Sequence, residues 1–183
     1  MAEDKSINTL VDPTLLFSHL KLSAGMTVAD LGCGTSGQFV AAAAKLVGET
    51  GLVYAVDILK SALQAAVSRS RLAGLNNVKS VWSNLEIYGA TKIAEQSLDA
   101  AFLINTLYQS ENKEAIIKEA VRLIKSGGHL LVVDWSKDKE FFGLSVDRKV
   151  DVDGIKKNAS DQKLKLIDQF AASQYHFGLV FKK

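Results

Sequence analysis

The stretch VADLGCGTSGQFVAAAAKLV, Val28 to Val47, constrains the fold more than any other part of this chain. An apolar run with strand-forming residues leads into three glycines spaced Gly32-x-Gly34-x-x-Gly37, and a run of strong helix formers follows. A strand that turns tightly into a helix over a glycine loop is the opening unit of a parallel, helix-covered sheet, and the loop is where such sheets hold ligands. The pattern then repeats. Strands are expected at Thr27 to Leu31, Leu52 to Val56, Val78 to Trp82, Leu98 to Ile104 and His129 to Trp135. Helices are expected at about Gln38 to Val47, across LKSALQAAVSRSRLAGL to a stop at Gly74, and across KEAIIKEAVRLIK to a stop at Gly127-Gly128. Before the first strand, Asp12-Pro13 reads as an N-cap and first-turn proline opening the helix TLLFSHLKL, which Ala24-Gly25 ends.

The last third departs from the alternation. After a helix near Val152 to Asn158, the chain closes with KLKLIDQFAASQYHFGLVFKK, two strand-forming runs split by a short connection, which reads as an antiparallel hairpin. At 183 residues one domain is expected, divided into an N-terminal helix (1–25), a ligand-binding core (26–135) and a further segment with the terminal hairpin (136–183). Hydrophobic residues at 48% and charged residues at 23% suit a folded chain. A net charge of +2 with scattered lysines gives no nucleic-acid surface. The single cysteine, Cys33, excludes an internal disulfide framework. The N-terminus lacks a signal-peptide pattern and no window is apolar enough to span a membrane, so a cytoplasmic location is expected.

Five blocks carry a family resemblance: AGMTVADLGCGTSG at Ala24 to Gly37, VYAVD at Val53 to Asp57, NVKSVWSNLE at Asn77 to Glu86, SLDAAFLINTLYQ at Ser97 to Gln109, and LIKSGGHLLVVDW at Leu123 to Trp135. In this order and spacing, with the closing hairpin, the chain resembles the class I S-adenosylmethionine-dependent methyltransferases. The resemblance implies an α/β, Rossmann-like three-layer αβα sandwich with a mostly parallel seven-stranded sheet and an antiparallel C-terminal hairpin. It also implies S-adenosylmethionine as cofactor, S-adenosylhomocysteine as product, and a cofactor site made by Asp30, Gly32, Cys33, Gly34, Gly37, Asp57, Ile58, Asn84, Leu85 and Asn105. In that site the acid matching Asp30 lies beside the methionine part, Asp57 accepts both ribose hydroxyls, Ile58 lies against adenine, and Asn84 with the Leu85 N–H meets the ring edge. Asn84 departs from the aspartate many members carry. Asn105 and Thr106 fall near the methionine end, with Leu107 and Tyr108 bordering the methyl group.

Electrostatics separates two cofactors at Asp30. At an effective dielectric of about 20 and about 6 Å, a unit-charge interaction is about 3 kcal/mol, favouring a sulfonium and disfavouring a diphosphate. Against this, Asp30 could simply accept hydrogen bonds from the loop's own amides. The glycines and Asp57 suit either cofactor, because a dinucleotide site uses the same devices. Cys33 reads as a small spacer in the loop, with no histidine nearby in sequence to activate it.

In-line methyl transfer from a sulfonium draws much of its rate from alignment, so no fixed catalytic constellation is expected. If the acceptor must lose a proton, Asp134, Tyr108 and His176 are the base candidates by position. The fourth strand lacks the Asn/Asp-Pro-Pro-aromatic block of the family's nucleic-acid enzymes. The acidic metal set of its catechol-type members is unmatched at Asn105 and Trp135, so no metal is expected. A small-molecule acceptor is left, with a homodimer as one way to complete its pocket. Two further readings stay open on the sequence: a non-catalytic S-adenosylmethionine binder, and an NAD-binding oxidoreductase, which Asp30, the chain length and the hairpin oppose.

Overall fold

The computed structural model describes residues 11–136 and 150–183. The order of elements is α1 (Pro13–Leu20), β1 (Thr27–Leu31), α2 (Gln38–Val47), β2 (Leu52–Asp57), α3 (Lys60–Leu72), β3 (Val78–Trp82), β4 (Leu98–Ile104), a 3-10 turn (Leu107–Gln109), α4 (Lys113–Leu123), β5 (Ile124–Trp135), α5 (Val152–Asp161), β6 (Lys165–Ala171) and β7 (His176–Lys182). The strands form one seven-stranded sheet in the order β3-β2-β1-β4-β5-β7-β6. The pairs from β3 to β5 are parallel, and β7 runs antiparallel between β5 and β6. This is the α/β, three-layer sandwich that the alternation implies.

Periodicity explains the layers. The central strands are buried at nearly every position, because both faces of the sheet are covered. Leu16, Phe17, Phe39, Val40 and Ala66 of α1, α2 and α3 pack with Val28, Val53 and Phe102 on one face. Ile116, Ile117, Ala120 and Ile155 of α4 and α5 pack with Ala29, Leu31, Leu103 and Leu130 on the other.

Several boundaries move from their expected places. Asp12 caps α1 as expected, its Oδ1 accepting from the Thr14 N–H at 2.8 Å, but the helix ends at Leu20, where Lys21 takes a left-handed conformation with φ 54°. Helix α4 ends at Leu123 instead of reaching Gly127-Gly128. Ile124 is already extended and pairs with Leu98, so β5 begins five residues before His129. The two glycines therefore lie inside an irregular stretch of β5, where the Gly127 N–H donates to the Lys183 carbonyl at 2.8 Å. Helix α5 continues to Asp161, past the expected end at Asn158. The greater part of the expected segment between β5 and α5, residues 137–149, lies outside the described residues, as do residues 1–10 of the expected N-terminal portion.

Candidate active site

A cavity of about 460 Å³ opens at the carboxyl ends of the parallel strands, bounded by the loops after β1, β2, β3 and β4. Its centre lies where β1 has β2 on one side and β4 on the other. At such a switch point the following connections diverge to opposite faces and leave a crevice.

The β1 loop is shaped by its neighbours. Gly32 has φ 89°, and a Cβ there would stand 2.7 Å from the Thr106 side chain, so only glycine lets the loops after β1 and β4 approach so closely. Thr106 Oγ1 in turn donates to the Leu31 carbonyl at 3.0 Å. The Gly32 and Cys33 N–H groups donate to the Val56 carbonyl at 2.8 and 3.0 Å, and the Gly34 N–H donates to Asp57 Oδ2 at 2.9 Å. Asp57 Oδ1 accepts from the Leu59 N–H at 2.8 Å. A single carboxylate at the end of β2 thus fixes the glycine loop and the entry to α3.

Asp30 lies beneath this loop and is 1% exposed. Its Oδ2 has no hydrogen-bond partner, since the loop amides at Gly32, Cys33 and Gly34 are directed to Val56 and Asp57. Burial, with the Asp57 charge adding, holds the Asp30 carboxyl well above the usual carboxylate range. Burial also pushes the Cys33 thiol up, and the two aspartates push the same way, so this buried cysteine is not a thiolate nucleophile.

Of the ten residues expected at the site, eight line the cavity: Gly32, Cys33, Gly34, Asp57, Ile58, Asn84, Leu85 and Asn105. The other two stand behind the wall, Asp30 under the loop and Gly37 against α3, where a Cβ would come within 2.7 Å of the Ala66 Cα. Asn84 Oδ1 accepts from the Glu86 N–H at 2.9 Å, a local turn that fixes the loop after β3. Ile58 is half exposed, with its carbonyl accepting from Trp82 Nε1 at 2.8 Å. Asn105 adopts φ 54°, a left-handed conformation that asparagine tolerates better than most residues, and its carbonyl accepts from Gln109 Nε2 at 2.9 Å.

The base candidates do not line one cavity. Tyr108 lines the cavity. Asp134 is fully buried beneath the 3-10 turn, its Oδ2 accepting from the Leu107 and Tyr108 N–H groups at 2.9 and 3.2 Å. Burial pushes its carboxyl up to about 7 against those bonds. Asp134, a base candidate by position, has its oxygens engaged by the N–H groups of Leu107, Tyr108 and Trp135 and shapes the turn. His176 lines a separate cavity between the ends of β6 and β7. Sequence reasoning missed Glu86 and Ser110, which line the cavity from different loops and are joined through Glu86 Oε1 and Ser110 Oγ. No spacing rule links two residues so far apart in the chain.

A family model described as a methyltransferase domain matches residues 22–172. The chain belongs to the methyltransferase-domain family. Curated relatives include the ubiquinone/menaquinone biosynthesis C-methyltransferase UbiE of Klebsiella pneumoniae, 37% identical over 114 residues, or 62% of this chain. The chain spans 44% of that relative's length. Among solved structures, a SAM-dependent methyltransferase from Aquifex aeolicus superposes with a TM-score of 0.85 at 24% identity, covering 98% of this chain and 93% of that one. The [4+2]-cyclase SpnF superposes at 0.77 with 17% identity, covering 93% of this chain and 79% of that one. These likenesses establish the fold of the methyltransferase domain. Among the described residues no helix is long and apolar enough to cross a membrane.

Proposed function

We propose that this methyltransferase domain binds S-adenosylmethionine in the cavity at the strand ends and passes its methyl group to a small-molecule acceptor. The observation that carries the reading is the pair of carboxylates at the glycine loop, Asp57 on the wall and Asp30 beneath it with an oxygen that no protein group satisfies. Asp57 suits either cofactor, so the discrimination falls to Asp30, whose ionised form a cationic ligand favours and a diphosphate opposes.

The residues present fit the cofactor. Asp57 keeps lone pairs beyond its two backbone bonds and would accept the ribose hydroxyls. A Cβ on Gly34 would meet no atom within 4 Å, so the missing side chain leaves room in the cavity rather than closing a packing contact. Ile58 and Leu85 offer apolar surface to an adenine, and Asn84 gives its edge an amide partner. Gly37 caps α2 without a side-chain bond, so first-turn N–H groups face the loop where a carboxylate is stabilised. Burial and Asp57 favour the neutral form of Asp30, and a cation bound near the loop would favour its ionised form in return. The bound cofactor supplies an activated methyl group with a neutral thioether as leaving group. The protein's part is alignment of the acceptor, with Tyr108 and Asn105 on the side where it would enter.

A small organic acceptor is supported by relatives named for ubiquinone and menaquinone biosynthesis, and carbon is the first acceptor atom to test. Completion of the acceptor side by a second copy of the chain belongs to the same reading and is checked by light scattering. The deciding experiment is calorimetric titration with S-adenosylmethionine, S-adenosylhomocysteine and NADH. Micromolar binding of the first two with none of the third supports the reading, and binding of NADH alone sinks it. The two wall carboxylates, Asp57 and Glu86, already accept bonds from the protein, and SpnF shows the fold hosting a cyclase. A cofactor binder that transfers no methyl group is therefore the second reading. It is favoured if the titration succeeds and no oxygen, nitrogen, sulfur or carbon acceptor yields S-adenosylhomocysteine.

A further inference from the structure

A further carboxylate, Glu86, borders the cofactor cavity from the loop after β3, and Ser110 borders it from the loop after β4. Glu86 Oε1 is bonded to Ser110 Oγ, and Ser110 Oγ also accepts from the Asn112 N–H at 2.9 Å. A carboxylate has no proton to give, so the hydroxyl donates to Glu86 and the direction of the chain of bonds is fixed. Its far end is anchored. Asn112 caps α4, its Oδ1 accepting from the Ala115 N–H at 3.1 Å, and Lys113 Nζ donates to the Ser110 carbonyl at 2.7 Å. Ser110 is buried, whereas Glu86 is exposed, and among the described residues no bond is made to Glu86 Oε2.

Strand order places this carboxylate along the cavity. β3 lies beside β2, on the side away from β1, so the wall after β3 continues from Asp57 away from the glycine loop. A nucleoside with its ribose at Asp57 therefore reaches that wall with its base. An adenine presents an amino donor beside a ring-nitrogen acceptor. Asn84 is poorly placed to take the amino group: its Oδ1 is turned to the Glu86 N–H at 2.9 Å, and its Nδ2 can only donate. A donor amide at Asn84 and an acceptor carboxylate at Glu86, on one loop, together complement the edge of the base.

We propose that Glu86, held by Ser110, determines which base the site accepts: its Oε2 accepts from the exocyclic amino group of adenine, while Asn84 Nδ2 donates to the neighbouring ring nitrogen. The assignment rests on the reading that S-adenosylmethionine occupies this cavity. A purine with a keto oxygen in place of the amino group would set two acceptors against each other, so it is rejected. Ser110 is then a positioning residue, because its hydroxyl ties the carboxylate to the wall at the start of α4.

The test is calorimetric titration of the whole chain with S-adenosylhomocysteine and with its deamino analogue, in which a hydrogen replaces the amino group and every ring nitrogen is kept. The wild type should bind the analogue at least about tenfold more weakly, since it gives up a hydrogen bond to a charged group. In Glu86→Ala the two ligands should bind within about threefold of each other. Glu86→Gln, whose amide oxygen still accepts, should restore part of the gap, and Ser110→Ala should narrow it. A wild-type gap of less than about tenfold overturns the proposal. So does a gap in Glu86→Ala as wide as in the wild type, because a residue that only shapes the loop would weaken both ligands alike. If the wild type binds neither ligand, the cofactor reading itself falls and takes this assignment with it.

Discussion

Asp57 shows how much a single residue does that its position alone leaves unsaid. Its place at the end of β2 marks it as a ribose acceptor, and that reading is available from the sequence. What is not available is that the same carboxylate accepts from Gly34 and Leu59, because those bonds depend on how the loop after β1 folds over β2. Replacing it removes the acceptor for the ribose hydroxyls and loosens the loop at once. Hydrogen bonds to a charged group contribute about 1.5–3 kcal/mol, so Asp57→Ala should weaken S-adenosylhomocysteine binding at least tenfold by calorimetry. Unchanged affinity would remove Asp57 from the site. Glu86 and Ser110 were illegible for a related reason: each looks like an ordinary loop residue, and only the folded loops bring them together.

At the level of elements, legibility follows how local the determining forces are. β3, β4 and α2 fall at their expected residues, since apolar runs and helix formers decide them within the segment. The end of α4 does not, because pairing of Ile124 with Leu98 pulls the chain into the sheet before the glycines are reached. A second non-local feature of α4 is Glu119, fully buried on the helix. Its carboxylate accepts from the Gly89 and Thr91 N–H groups at 2.8 and 3.0 Å and from Arg122 at 2.7 Å, pinning the loop between β3 and β4. Burial alone would raise this carboxyl, but the bonds from Arg122, Gly89 and Thr91 outweigh it and hold it at about 2, against an ordinary value of 4.5. The folded state therefore binds its proton more weakly than the unfolded chain. The stabilisation is complete above about pH 5 and is lost as the pH falls toward 2. Glu119→Ala should cost about 3–5 kcal/mol at pH 7, because Arg122 and two N–H groups lose their partner. Urea unfolding at pH 7 and pH 3 checks this: the gap between wild type and variant should narrow at pH 3, and a gap that stays constant would refute the assignment.

For the molecule as a whole, Asp30 sets folding against binding. It sits on β1, in the middle of a sheet whose two faces are both packed with apolar side chains. An unsatisfied carboxyl there is a defect in an otherwise closed core. Its carboxyl is raised well above 3.8 by burial and by Asp57, so the folded state holds the proton more tightly than the unfolded chain. Stability from this group is full below about pH 3.8 and is lost as the pH rises toward the folded value. Asp30→Asn removes that penalty while keeping the shape, so its urea midpoint should exceed wild type, by more at pH 8 than at pH 5. The same variant should bind S-adenosylmethionine more weakly, and should lose less affinity for S-adenosylhomocysteine, which lacks the sulfonium charge. A change in the ratio of the two affinities of about fivefold or more, read by calorimetry at pH 8, would mean that the buried charge is kept to recognise a cation. If both ligands weakened equally, Asp30 would be acting only through the shape of the glycine loop.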